Sequence, residues 1–150
     1  MGDPSKSHRR AGRVAAVQIL YGLDTQGPDW PGDAAGVVAQ HFALLDPEEA
    51  EEASAETREL AESLVRGVIE GRRAIDRALQ GAAANWRLER MNRVDRNVLR
   101  VAIHELMSRD DVPPRVVLNE AIEIAKAFGE NESATFVNGV LDRVRRDLGR

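Results

Sequence analysis

The chain has 150 residues, 43% hydrophobic and 31% charged, which reads as one soluble globular domain with a real core. Its net charge is −4 and it has no cysteine, which excludes disulfides, thiolate zinc sites and cysteine nucleophiles and fits a reducing cytoplasm. The longest stretch without Asp, Glu, Lys or Arg, Ala34 to Leu45, is too short to span a bilayer, and the polar start MGDPSKSHRR has no secretion-signal core, so no membrane contact is expected.

Apolar residues recur at helical spacing almost throughout, and no strand-like alternation is sustained. Residues 1–6 are expected to be a flexible tail, followed by a helix over Ser7 to Leu23 with Val14, Val17, Leu20 and Tyr21 on one side. Thr25 to Gly36 is rich in Gly and Pro and reads as a loop. A short helix over Val37 to Leu45 ends at Asp46-Pro47, and the acidic run Glu48 to Glu52 leads into a longer helix from about Thr57 to Leu79. Leu60, Leu64, Val68, Ile75 and Leu79 form its core stripe, and Gly67 and Gly71 point to a close crossing or a bend. Gly81 ends that helix, and a linker with Trp86 follows.

In the second half, Asn92 is placed to cap a helix whose first turn holds Asp95 and whose face is Val94, Val98, Leu99, Ala102, Ile103 and Leu106. Pro113-Pro114 precede a helix marked by Leu118, Ala121, Ile122 and Ala125, which Gly129 closes. Asn131 can cap the last helix, with stripe Val137, Val140, Leu141, Val144 and Leu148. The reading is all-α, with six or seven helices joined by short loops.

Charge is distributed unevenly along this framework. Residues 1–21 carry a net +3 and residues 46–62 a net −7, a basic end on an acidic body. If helical, Lys6, Arg9, Arg10 and Arg13 fall at i, i+3, i+4 and i+7, a stripe whose azimuth continues into Val14, Val17 and Leu20. Arginines are not expected to be buried with that core, so the basic turns should protrude and suit phosphate contact. A solubilising tail, or the arginine bias of a GC-rich genome, explains the same stripe. Phe136 lies at the flank of its helix's stripe, where an exposed ring could stack on single-stranded RNA or simply close the core edge.

Little else could carry chemistry. His8, His41 and His104 are scattered without metal-ligand spacing, and there is no phosphate loop or nucleophile elbow. No catalytic residue, metal or cofactor is expected, and the acidic run reads as a solvated surface.

Three C-terminal segments, VDRNVLRVAIHEL, DVPPRVVLNEAIEIAKAFG and SATFVNGVLDRV, closely resemble the NusB family of bacterial transcription antitermination factors. RRAGRVAAVQILY looks like the same family's arginine-rich first helix, and the resemblance spans about His8 to Leu148. It implies two small packed helical bundles, helices one to three over about 7–80 and the remainder over about 82–149. It also implies binding of boxA, a single-stranded leader element of ribosomal RNA transcripts, together with NusE, a small-subunit ribosomal protein, and through them coupling to elongating RNA polymerase. By position, Lys6, Arg9, Arg10 and Arg13 fall in or beside the arginine-rich start, and Glu132 and Phe136 on RNA-facing positions. Tyr21, Glu89 and Asp95 match positions at or near the partner surface, where the acids suit a basic protein. Ala11, Gly12 and Val14 depart from the denser RRxAREAA pattern of many members, and Gly12 weakens the helix.

Two other readings share the helical pattern. The domain also resembles the N-terminal RNA-binding region of some ribosomal RNA cytosine methyltransferases, a reaction that needs a catalytic domain and cysteines. A homodimer with a masked RNA surface would use the same apolar flank of helix one.

Overall fold

The computed structural model describes residues 4–150, and among them it contains seven α-helices, one short 3₁₀ turn and no strand. The helices are α1 (Pro4–Thr25), α2 (Ala34–Ala43), α3 (Pro47–Glu52), α4 (Ala55–Ala82), α5 (Arg93–Ser108), α6 (Pro114–Phe128) and α7 (Ser133–Asp147). The 3₁₀ turn is Leu88–Arg90, between α4 and α5. No described helix is long and apolar enough to cross a membrane. Helix α1 begins at Pro4, so residues 4–6 of the expected tail are helical, whereas residues 1–3 lie outside the described residues.

The chain divides into two compact units, one up to Glu70 and one from Gly71 to Arg150, with the division falling inside α4. In the first unit α1 packs on α2, and Ala16, Leu20, Val38, Phe42, Leu64 and Val68 are buried. Helix α2 starts three residues earlier than its apolar run suggests, because Asp33 caps it by accepting from the Gly36 N–H at 2.9 Å. The acidic run is itself a helix. Asp46 caps α3 by accepting from the Glu49 N–H at 2.9 Å, and Pro47 occupies its first turn, where a missing N–H costs nothing. Arg58 then donates to the carbonyls of Ala50 and Ala53 at the end of α3 and lies over the Phe42 ring at 4.7 Å.

Gly12 has a packing reason that its helix propensity hides. A Cβ there would lie 2.9–3.0 Å from Leu60 of α4, so the glycine permits close approach of α1 to that helix. The expected crossing glycine in α4 does not behave this way at Gly71, where a Cβ would meet only Ile75 of its own helix at 3.4 Å.

In the second unit α5, α6 and α7 pack on one another. Leu99, Ile103, Leu106, Ala125, Val137 and Leu141 are buried there, as their spacing requires. Asn92 caps α5 as expected, accepting from Val94 and Asp95 N–H at 2.8 and 3.4 Å. Arg100, 2% exposed, donates to Asp76 at 2.9 and 3.2 Å and to Asn97 at 3.1 Å, joining the end of α4 to α5. Asn131 does not cap α7. The residue before that helix is Glu132, in helical backbone, and the turn is closed instead by Ser133 Oγ accepting from the Glu130 N–H at 2.9 Å. Gly129 ends α6 in extended backbone, where a Cβ would collide with Ser133 and the Ala125 carbonyl. Leu148, assigned to the core stripe, lies past the end of α7 and is exposed.

Candidate nucleic-acid and partner surfaces

The first candidate surface is the start of α1. Lys6, Arg9 and Arg10 are exposed there, as a cationic phosphate-contacting turn requires. Arg13 is not: it is 3% exposed, which corrects the expectation that the whole stripe protrudes. Its azimuth is that of Val17 and Leu20, so the aliphatic stem follows the core and the guanidinium interacts within the protein. The helix start is also fastened. His8 Nδ1 lies 2.9 Å from Glu56 Oε2, and Thr57 Oγ1 donates to the His8 carbonyl at 3.4 Å, both on the first turn of α4. Tyr21, two turns beyond Arg13, is 41% exposed.

The second candidate surface belongs to the Gly71–Arg150 unit and is a cavity of about 410 Å³. Trp86 and Phe136 line it side by side, Asp95, Glu130 and Glu132 supply carboxylates, and the exposed Arg90 lines it as well. Helix α7 carries Phe136 in its first turn, half-buried at the edge of the stripe. Trp86 is 58% exposed and meets the Phe136 ring edge to face, with centroids 6.0 Å apart and planes inclined by 73°.

The linker carrying Trp86 is held by one side chain. Gln80 donates to the carbonyls of Ala83 and Trp86 at 3.3 and 2.7 Å and accepts from the Leu88 N–H at 2.9 Å. Arg96 adds a bond to the Leu88 carbonyl at 2.8 Å, which fixes the 3₁₀ turn bearing Glu89 and Arg90 against α5. Glu89 is exposed on that turn and does not line the cavity.

Asp95 is 7% exposed, and its Oδ1 is buried without a hydrogen-bond partner. Burial pushes its carboxyl above the usual carboxylate range, the negative charge of Glu130 adds to that, and a hydrogen bond with Ser133 opposes it. Asp95, expected on the partner surface, therefore shares one cavity with Glu132 and Phe136, expected on the RNA surface. The sequence pattern marks Trp86 only as a linker residue. A lone tryptophan in a polar stretch between two helices was the signal, since an aromatic there must find a ring to lie against or remain wet. Among the described residues no group of His, Asp and Glu is arranged to hold a metal ion.

A family model described as the NusB family matches residues 10–146. The chain is 46% identical over 144 residues to the transcription antitermination protein NusB of Sorangium cellulosum, covering 95% of this chain and 94% of that protein. Among solved structures it is similar to NusB of T. maritima, with 34% identity, a TM-score of 0.77, and coverage of 98% of this chain and 94% of the other. It has the same fold as a chain in a crystal structure of antitermination factors NusB and NusE in complex with double-stranded RNA, with 23% identity and a TM-score of 0.78, covering 94% and 98% of the two chains.

Proposed function

The chain belongs to the NusB family, and from that premise we propose that it is a cytoplasmic, non-catalytic transcription antitermination factor. In this reading it binds boxA-type single-stranded RNA of ribosomal RNA leaders together with NusE and couples that RNA to elongating RNA polymerase. The observation that carries the RNA part is the exposed cationic start of α1, Lys6, Arg9 and Arg10, on a chain whose net charge is −4. A protein of this fold crystallised with NusE and RNA supports the choice of partners. Phe136 supplies stacking, with Glu132 beside it, and Arg13 acts from inside by holding α1 in place. The acidic and aromatic residues Glu89, Asp95 and Tyr21 are assigned to or near the partner surface, where carboxylates complement a basic ribosomal protein.

Fluorescence anisotropy with a labelled boxA-type RNA, with and without NusE and across a salt series, tests this reading. Arg9→Ala/Arg10→Ala is expected to weaken binding and to flatten the log K against log salt slope by about 1.4, two phosphates at roughly 0.7 each for single-stranded RNA. Tight binding with an unchanged slope in that variant would remove the α1 turn from the RNA contact.

A further inference from the structure

The Trp86–Phe136 cavity offers an apolar wall, a buried acceptor and a cation in its lining. The two rings are inclined by 73°, so a flat group lying on one is stopped by the other. Its volume of about 410 Å³ leaves room for a bicyclic base. Asp95 lines it, with an Oδ1 that accepts no hydrogen bond although the residue is more than nine-tenths buried. The terminal torsion of an aspartate is broad, so a small turn of the carboxylate presents that oxygen to an occupant. A buried acceptor left in this condition costs free energy that an N–H donor would recover.

We infer that this cavity is a nucleobase pocket in which one ring of the Trp86–Phe136 pair stacks on the base, the other abuts its edge, and Asp95 reads its hydrogen-bonding edge, with guanine the preferred occupant. The inference rests on the RNA-binding function proposed above and adds a base identity and two residues to it. Guanine presents N1–H and N2–H₂ side by side, all donors, to a carboxylate that can only accept. Uracil offers one N–H between two carbonyls, which a carboxylate repels, and adenine and cytosine each set an acceptor nitrogen beside the amine. Arg90, exposed and lining the same cavity, supplies a cation for the nucleotide's phosphate and opposes entry of a cationic side chain, which the carboxylates alone would attract.

The test uses the full chain and short labelled oligouridines of equal length carrying a single central G, A, C or inosine, or none. The wild type is expected to bind the G-containing strand about ten-fold more tightly than the all-U strand, with inosine, which lacks the amine, between them. Asp95→Asn, nearly isosteric, should erase that preference. Trp86→Ala, at a largely exposed site, should weaken the G strand about ten-fold. Equal affinity for all five strands, or a G preference that survives Asp95→Asn, would overturn the inference. So would a shift of the Trp86 indole N–H resonance caused by Nα-acetylarginine amide and not by guanosine monophosphate, since the pocket would then take a cation from a protein. Salt-dependent binding without base preference defeats the pocket alone. Absence of binding to every strand defeats the RNA function and the pocket together.

Discussion

Arg13 and Asp95 are both charged, both buried, and arrive there by different physics. Arg13 follows a helical azimuth that leads into the core, and a long aliphatic stem lets a guanidinium enter along apolar neighbours. Asp95 has no such stem, and its carboxyl pKa is raised first by burial and then by the charge of Glu130. A raised folded-state pKa means that the native state holds the proton more tightly than the unfolded chain does. Asp95 therefore favours folding below its unfolded pKa, and that contribution is lost as pH rises through the folded value. Asp95→Asn should accordingly raise the melting temperature at pH 7, with the advantage over wild type shrinking toward pH 4. Thermal melts of the two proteins at both pH values check this. A variant that melts lower at pH 7 would mean that the ionised carboxylate is stabilised, for example by the positive end of α5.

At the scale of elements, periodicity carried much further than individual caps. The α5 and α7 faces were legible because Val98, Leu99, Ile103, Val137, Val140 and Leu141 repeat at helical spacing and are buried where that spacing puts them. Helix α3 is not legible in the sequence, because six residues with four glutamates have no apolar stripe, and Asp46-Pro47 reads equally as the stop of the preceding helix and the start of this one. The cavity was half legible: Phe136, Glu132 and Asp95 were named for separate surfaces, while Trp86 and the Gln80 clamp depend on contacts six or eight residues apart in irregular chain. Gly12 shows why propensity alone misleads. In an open helix Gly12→Ala would gain about 1 kcal/mol. Here the new Cβ meets Leu60 at 3.0 Å or less, so overpacking wins and a net loss of roughly 1–2 kcal/mol is expected. Urea titrations of Gly12→Ala, Leu60→Ala and the double variant measure it. The double variant should recover part of the loss, and simple additivity would show that the two residues do not press on each other.

For the whole molecule the distinctive element is α4, whose 28 residues continue unbroken through the division at Glu70 and Gly71. The two tryptophans fall on opposite sides of that division, Trp30 in the first unit and Trp86 in the second, so each reports on one unit. A continuous helix transmits cooperativity, because each hydrogen bond it forms depends on the turn before it. Single-tryptophan variants, Trp30→Phe and Trp86→Phe, should therefore show urea transitions with coincident midpoints. Proline at Gly71 removes an N–H and clashes with the preceding turn, at a cost of about 3 kcal/mol, while the site itself has no tertiary neighbour to collide with. Gly71→Pro in each single-tryptophan background is expected to lower both midpoints and to pull them apart. If they fall together, the units are coupled by something other than the helix. If they are already apart without the proline, α4 joins two independently folding halves, each carrying part of the proposed RNA and partner surfaces.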